Sequence, residues 1–399
     1  MAGTSSKTPI EIVSDNFASA ACSPLTSAAI PTTPTPSSAS KYPKNAISIH
    51  SFSVQAKRST RKKRSRVADT LLHRFRSKKG LFVTDVTKTE WCEKQMEFSL
   101  FHEEWKNNAG QEWCSQKQMD LALVFRGGRE KNEAMRAGMV RHVQLVKEIQ
   151  ATVKVKVKSR EDVMALKLVN FINGVNQLLF EGLTRELPIV SFAFAQGIWM
   201  VGKIDEVCMP KSKKDHNPIL VETKTRFQDT VPSEPQKRNG KIQLMCYKYL
   251  WDNLVAHAHH GFPSKQFFDY FELSPQRALS EDLLAACFDS GISALTLDEL
   301  VICYQNTWKM LPRAHNKLVL RYESQRDQSV LDEEKFAYND GWIRRQIKSC
   351  LEFWLEQREA TYVAEEEEWK CRYCDFASEC PACYTDSEAQ KLSSDYSSE

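Results

Sequence analysis

Two short segments, residues 202–207 and 219–226, read GKIDEV and ILVETKTR and flank a lysine-rich linker. Apolar runs on either side of a polar turn are typical of a β-hairpin. Asp205 lies on the first predicted strand, and Glu222 and Lys224, two residues apart, share one face of the second. Two carboxylates and a lysine at one end of a hairpin can bind a divalent cation and stabilise a hydroxide beside it. The pattern is short, so its meaning depends on the rest of the chain.

Length and composition predict a soluble protein with a sizeable core. The chain has 399 residues, of which 42% are hydrophobic, and a net charge of +4. We identify no apolar run long enough to cross a bilayer, and we expect no membrane partner. Twelve cysteines without a secretory signal indicate reduced thiols, some of them metal ligands, rather than a disulfide framework.

The two ends of the chain are predicted to be tails. Residues 1–80 form a disordered arm, rich in Ser, Thr and Pro up to about residue 55 and then strongly basic over 57–66. The basic run favours a nuclear protein. The alternative is a mitochondrial or chloroplast protein, because a Ser-rich arm is typical of a transit peptide. The acidic residues Glu11 and Asp15 argue against that alternative, since transit peptides avoid them. Residues 384–399 are an acidic, Ser-rich tail.

Between these tails, residues 81–383 are predicted to form an α/β domain. Residues 82–86 are expected to end a strand or form a turn, and alternating valines predict a strand over 153–157. The predicted sheet strands cover 189–194, 198–207 and 219–225, followed by a hairpin at 317–323 and 330–338. The predicted helices cover 87–101, 130–150, 160–180, 242–254, 264–273, 280–288, 297–311 and 340–359.

The densest cysteine cluster lies near the C-terminus. Cys371, Cys374 and Cys380 have the spacing C-x2-C-x5-C, and Cys383 follows. Two intervening residues allow two thiolates to reach one metal centre without backbone strain. The four could form a local zinc knuckle, or three of them with a distant cysteine could bind an iron–sulfur cluster. Cys246, Cys287 and Cys303 lie in apolar helical patterns and are predicted to be core residues.

The order of these motifs resembles the RecB-like branch of the PD-(D/E)xK nucleases. His142 lies on an early helix, Asp205 and Glu222-x-Lys224 follow on strands, and Gln243 and Tyr247 lie one turn apart on the next helix. The segments 83–85, 91–93 and 369–380 resemble the two ends of exonuclease V, a family of single-strand DNA exonucleases with a [4Fe-4S] cluster. The resemblance implies a restriction-endonuclease-like core, a mixed sheet flanked by helices, closed by a cysteine-ligated cluster.

The resemblance also implies roles for the candidate residues. Asp205, Glu222 and His142 would bind Mg²⁺ or Mn²⁺, and Lys224 would orient the attacking water or stabilise developing charge. Gln243 and Tyr247 would position the lysine, the water or a nucleotide. Arg226 is a candidate phosphate contact, and Glu186 is expected to have a supporting role.

Cys92, Cys371, Cys374 and Cys380 would bind the cluster, and Cys383, which lies outside this set, keeps zinc as an alternative. The implied function is a monomeric, metal-dependent exonuclease of single-stranded DNA in repair or genome maintenance, with a single-strand-binding protein as a candidate partner. The alternatives are a structure-specific endonuclease and a non-catalytic zinc-knuckle protein that binds nucleic acid through a vestigial nuclease fold.

Overall fold

A computed structural model describes residues 70–108, 129–149, 155–192, 197–212, 215–378 and 380–383. Most of the predicted arm, with its basic run, and the predicted tail lie outside these residues. The folded part nevertheless begins before the predicted boundary at residue 81. A short helix starts at Leu71, and Leu71 and Leu72 pack into the core, which residues of a disordered arm would not do.

The described residues form a mixed α/β fold in which helices flank a six-stranded sheet, and this confirms the coarse prediction. The strands are β1 Leu81–Phe82, β2 Leu183–Ser191, β3 Met200–Cys208, β4 Ile219–Arg226, β5 Lys317–Ser324 and β6 Val330–Ala337. The helices are α1 Leu71–Arg76, α2 Val83–Trp91, α3 Glu93–Asn108, α4 Arg129–Ile149, α5 Arg160–Glu181, α6 Glu234–Ala258, α7 Ser264–Phe271, α8 Glu281–Asp289, α9 Leu297–Lys309 and α10 Asp340–Trp354, followed by a 3-10 helix, Glu365–Tyr373.

The sheet topology leaves a gap beside the middle of β3. Strand β2 pairs antiparallel with β3 from Leu183 to Ser191, with an interruption at Glu186. The other edge of β3 pairs with β1 only at Met200 and Val201 and with β4 only from Glu206 to Cys208. Beyond that point β4 leaves β3 and pairs in parallel with β5, which forms the predicted hairpin with β6. Residues 202–205 therefore border a gap between β1 and β4.

The long helices α5 and α6 pack on the sheet, and α9 contacts both of them. Helix α5 packs on β2, and α6 contacts β2, β4 and β5 as well as α2. Helix α5 begins at the Ser159 N-cap, whose hydroxyl accepts the Asp162 N–H, and ends at Gly182 in the left-handed conformation. Four tryptophans, Trp199, Trp251, Trp308 and Trp354, are almost completely buried in the hydrophobic core.

Several predicted boundaries were wrong because side chains compete for the backbone. Helix α2 begins at Val83, where a turn was predicted, because the Asp85 carboxylate accepts the Phe82 N–H at 2.9 Å. Of the strand predicted over 153–157, residues 153–154 lie outside the described residues, and residues 155–157 do not form a strand. The N–H groups of Lys156 and Lys158 donate to the carboxylates of Asp282 and Asp162 instead of to a neighbouring strand.

Two further boundaries differ from the predictions. Strand β2 starts six residues early and contains Pro188, which an edge strand tolerates because it pairs on one side only. Helix α6 starts at Glu234 rather than near residue 242, and Pro235 lies in its first turn, where the missing N–H is not needed.

Helix α5 corrects the expectation that the chain lacks an apolar run of membrane-spanning length. Its 22 residues are long and apolar enough to cross a bilayer by length and composition. In the structure, however, 56% of its most apolar window is buried inside the protein, and Phe171 and Val175 are completely buried. A core helix passes the same length test, so the finding is weak support for a membrane span.

Candidate active site and cysteine cluster

The gap beside β3 is filled by Tyr247 of α6. The Lys203 N–H, which no strand pairs on this edge, donates to Tyr247 Oη at 3.2 Å. Gly202 permits this approach, because a Cβ there would lie 2.6 Å from Tyr247 Cε1. Burial raises the pKa of the Tyr247 phenol well above its usual value, so it stays protonated at neutral pH. Tyr247 therefore positions β3 rather than titrating during a reaction.

Asp205 and Glu222 meet where the β3–β4 ladder ends. Asp205 Oδ2 accepts the Thr223 N–H at 3.0 Å, so a side chain replaces the next ladder bond and ties the two strands together. Glu222 is 1% exposed, and its Oε2 has no hydrogen-bond partner among the described residues. Burial, and then the neighbouring Glu222, raise the pKa of Asp205 well above its usual value. Two neighbouring carboxylates, one buried and one largely buried, are unfavourable unless a cation lies between them.

Lys224 connects Glu222 to helix α6. Its Nζ lies 2.5 Å from Glu222 Oε1 and donates to Gln243 Oε1 at 2.9 Å. Burial by itself would lower the pKa of Lys224, but the carboxylates of Glu222 and Asp205 outweigh it and raise the pKa. The ammonium carries three protons, and these two acceptors leave one proton available for a substrate or a water.

Helix α4 brings His142 to the same edge of the sheet. Arg141 Nε pairs with the buried Glu323 of β5 at 2.9 Å, and Arg185 of β2 donates to the Leu145 carbonyl at 2.6 Å. Gly138 lies against β4, where a Cβ would come within 3.1 Å of Thr225 Oγ1. These contacts with three strands hold the helix so that His142 Nδ1 is 3.9 Å from Asp205 Oδ1.

Glu186 is the residue whose importance the sequence understated. Its Oε1 lies 2.8 Å from His142 Nδ1, and its Oε2 lies 2.5 Å from Lys203 Nζ. The hydrogen bond to Glu186 is the main reason that the pKa of His142 is raised. Burial opposes ionisation of Glu186, but His142 and Lys203 outweigh it, and the pKa of Glu186 is lowered. A carboxylate hydrogen-bonded to a ligand histidine is the usual way to fix the orientation of its ring.

These groups fit a hard divalent cation. One donor atom each from His142, Glu186 and Asp205 lies within 4.8 Å of the others, and the unpartnered Glu222 oxygen adds a fourth candidate. Oxygen donors with one imidazole suit Mg²⁺ or Mn²⁺. The structure thus brings together all the predicted metal ligands and the residues predicted to position them, and it adds Glu186. Arg226 lies two residues beyond Lys224, and the two side chains line one cavity together with Gln243.

A second site joins the two ends of the described chain. Cys92, at the break between α2 and α3, lines one small cavity together with four cysteines of the C-terminal segment, Cys371, Cys374, Cys380 and Cys383. Cys246 and Cys287 are buried and Cys303 packs against the core, as predicted. Among the described residues, Cys92 is therefore the distant cysteine that lines the cavity of the C-terminal cysteines.

The spacing of the thiols bears on the choice of metal. A tetrahedral zinc site with Zn–S distances of about 2.3 Å holds its sulfur atoms about 3.8 Å apart. Among the described cysteines, no three sulfur atoms all lie within 4.8 Å of one another. Cys383 is in hydrogen-bonding contact with both Cys371 and Cys380. Five thiols thus line this cavity, one more than a tetrahedral zinc ion binds.

Ion pairs reinforce this junction. The Glu93 carboxylate, next to Cys92, binds Arg358 through two contacts of 2.5 Å and accepts the Thr361 N–H at 2.9 Å. Nearby, Arg238 of α6 binds Glu90 at 2.7 Å and also pairs with Glu367 of the 3-10 helix. The C-terminal segment is therefore attached to α2, α3 and α6 by protein contacts as well as by the thiol site.

Comparisons with known proteins identify relatives of the chain. A family profile described as exonuclease V, a 5′ deoxyribonuclease, matches residues 107–218, 208–298 and 290–381. The chain is 30% identical over 275 residues to exonuclease V of Danio rerio, covering 68% of this chain and 67% of the relative. Among solved structures, the crystal structure of SSO0001 aligns over 76% of this chain and 85% of its own, with 13% identity and a TM-score of 0.33, which is too low to support an argument.

Proposed function

Because the chain belongs to the exonuclease V family, a family of DNA exonucleases, we propose that it is a Mg²⁺-dependent hydrolase that digests single-stranded DNA from an end. The description of the family as a 5′ deoxyribonuclease supports attack at the 5′ end. The basic segment 57–66 supports a nuclear role in DNA repair, with a single-strand-binding protein as a candidate partner. We assign the core to the PD-(D/E)xK class, with Asp205, Glu222 and Lys224 as its defining residues.

The observation that carries the proposal is the buried carboxylate pair with an unpartnered oxygen. Glu222 raises the pKa of the neighbouring Asp205, and Glu222 Oε2 is buried without a hydrogen bond in the described part of the chain. A binding module would gain nothing from this arrangement, whereas a metal-dependent hydrolase needs it. Asp205, Glu222 and His142 would hold the ion, and the contact between Glu186 and His142 would orient the imidazole.

The protein residues divide the catalytic work. Bound Mg²⁺ (or Mn²⁺) would neutralise charge on the scissile phosphate and lower the pKa of a coordinated water. Lys224, which remains an ammonium, would donate its third proton as a hydrogen bond to the attacking water or to the phosphate oxygen that gains charge. Gln243 would hold the Lys224 side chain in place, and Tyr247 would hold the strand that carries Asp205.

For the thiol site we propose a [4Fe-4S] cluster bound by Cys92, Cys371, Cys374 and Cys380. The position of Cys92 in the same cavity as the C-terminal cysteines supports this choice over a local zinc knuckle. Such protein should be brown, with absorbance near about 400 nm, and should contain iron rather than zinc.

The test is a cleavage assay on end-labelled single strands with purified full-length protein. We expect digestion that requires Mg²⁺ and a free end, and a loss of about 10³-fold or more in Glu222→Gln. The control is Glu234→Gln, at the first turn of α6, where the carboxylate is 74% exposed; it should retain activity within about twofold.

Three results would contradict the proposal. Activity that persists in EDTA would exclude a metal-dependent mechanism. Cleavage of circular single strands would indicate an endonuclease. Colourless, folded protein with stoichiometric zinc and no nuclease activity would favour the non-catalytic zinc-knuckle protein.

A further inference from the structure

A cavity of about 490 Å³ runs from the candidate active site towards the cysteine site. At one end it is lined by Lys224 and Gln243, and at the other by Trp91 and Gln95. Lys88 and Arg226 lie along its sides. We call this cavity the Trp91 groove. It is bounded by α2, the start of α3, the end of β4 and the first turns of α6, and Asn239 Nδ2 closes part of it by donating to the Thr87 carbonyl at 3.0 Å.

The charge of the Trp91 groove is positive. Lys88, Lys224 and Arg226 line it, and no carboxylate does. Within the described part of the chain, neither Lys88 nor Arg226 forms an ion pair, whereas most other half-buried arginines do. Arg226 Nε is buried and has no hydrogen-bond partner there. Two unpaired cations, one of which has an unsatisfied guanidinium nitrogen, lie in the same groove as Lys224 and call for an anionic ligand with several charges.

Trp91 provides an aromatic surface at the far end of the groove. The ring is partly exposed, and it is held by an edge-to-face contact with Trp369, with ring centroids 5.6 Å apart, and by Lys370 Nζ at 4.7 Å from its centroid. Lys370 is itself almost completely buried and donates to the Trp91 carbonyl. The ring is thus fixed before any ligand arrives, and a fixed ring binds a flat base at low entropic cost.

We propose that the Trp91 groove binds the single strand beside the scissile bond, with phosphates on Arg226 and Lys88 and a base stacked on Trp91. The inference rests on the proposed function for the position of the scissile phosphate at Lys224. An acidic peptide would satisfy the cations but would make no use of the aromatic surface, and a paired base in a duplex could not stack on it. Chemistry therefore favours a single-stranded nucleic acid.

The groove also links the cysteine site to substrate binding. Trp91 and Gln95 line both the groove and the thiol cavity, and the Gln95 N–H lies 3.4 Å from Cys92 Sγ. Loss of the cluster should therefore weaken strand binding before it alters the carboxylates. It should raise KM for single-stranded DNA more than it lowers kcat.

The test measures equilibrium binding of a fluorescent oligothymidylate to full-length protein that carries Glu222→Gln, so that the ligand is not degraded. Against this background, Trp91→Ala should raise Kd by about tenfold or more, and Trp91→Phe should raise it less. Lys88→Ala and Arg226→Ala should each reduce the slope of log Kd against log salt concentration by about 0.7. In catalytically competent protein that retains Glu222, Trp91→Phe and Lys88→Ala should raise KM and leave kcat within about twofold.

Matched controls are Phe288→Ala and Lys348→Ala, both exposed and outside the groove, which should bind as the parent does. Absorbance of the cluster is recorded for every variant, so that misfolded Trp91→Ala is recognised. If Trp91→Ala misfolds, the affinity and salt dependence of Lys88→Ala test the inference, because Lys88 is exposed on α2. Parental affinity and salt dependence in Trp91→Phe and Lys88→Ala, or equal competition by polyglutamate, would overturn the inference. If protein that retains Glu222 binds DNA through the groove but does not cleave it, the proposed function fails while the binding site stands.

Discussion

At the residue scale, Glu186 shows how this site departs from regular structure. It lies within β2, opposite Asp205, but its φ is +53°, in the left-handed region that a glutamate rarely adopts. The ladder skips this pair, since it passes from Arg185 and Glu206 to Leu187 and Ile204. The strained backbone accompanies the contact of the carboxylate with His142 and Lys203, which a regular strand would not provide.

A pair of substitutions at Glu186 separates strain from chemistry. Glu186→Ala and Glu186→Gly both remove the carboxylate and should reduce nuclease activity to a similar extent. Only glycine relieves the left-handed backbone, so Glu186→Gly should be more stable than Glu186→Ala by about 1 kcal/mol in urea unfolding. At Lys335, in the edge strand β6, the alanine variant should instead be more stable than the glycine variant. Equal stability of the two variants at Glu186 would mean that the backbone there is not strained.

At the element scale, the junction between α3 and the C-terminal segment depends on Glu93. Its carboxylate is buried against Arg358 and Thr361, and Cys92 immediately precedes it. Burial opposes its ionisation, but the hydrogen bonds from Arg358 and Thr361 outweigh burial and lower the pKa of Glu93 below 4.5. A carboxyl whose pKa is lower in the folded state stabilises the fold above about pH 4.5, and this stability is lost as pH falls through the folded value.

We therefore expect Glu93→Gln to lose about 2 kcal/mol of stability at pH 7 and to show a shallower loss as pH falls below about 4.5. Thermal unfolding followed by circular dichroism between pH 3 and 7 measures both effects. Glu97→Gln, on the same helix, is the control, because its carboxylate pairs only locally with Lys94 and should matter little. Parallel pH profiles of Glu93→Gln and the parent would exclude the junction as the acid-sensitive element.

At the scale of the whole molecule, the cysteine site lies where the two ends of the described chain meet. Lys370 and Trp91 are in contact although 279 positions separate them, and Cys371 and Cys92 follow them directly. A ligand bond across such a long loop removes much chain entropy from the unfolded state. The cysteines are thus expected to support the fold, and the carboxylates to support the chemistry.

Three single variants test this division. Cys92→Ala should lose iron and become poorly soluble, whereas Cys383→Ala should retain iron and colour because it lies outside the proposed ligand set. Asp205→Ala should be soluble, brown and inactive. Iron analysis, absorbance and the cleavage assay are the measurements. Soluble, active Cys92→Ala protein, or colourless Cys383→Ala protein, would replace the proposed ligand set with another.

Much of this architecture was predictable from local patterns. The β3–β4 hairpin, the β5–β6 hairpin and most helices follow from hydrophobic periodicity, since that pattern records which face is buried. The family was predictable because several short motifs occur in one order. Predictions failed where a carboxylate took a backbone N–H, as Asp85, Asp162 and Asp282 do, because such contacts join residues whose proximity no periodicity encodes.

The sequence by itself determined the chemistry available: two carboxylates and a lysine on adjacent strands, a histidine, and five cysteines at the two ends of the domain. Only the tertiary structure decided how these groups meet. The gap beside β3, the left-handed turn of Glu186 towards His142, and the Trp91 groove between the two sites all depend on contacts between distant segments. The physical reason is that residue types and spacing define local conformation, whereas burial, pKa shifts and unpaired donors arise only when separate elements pack together.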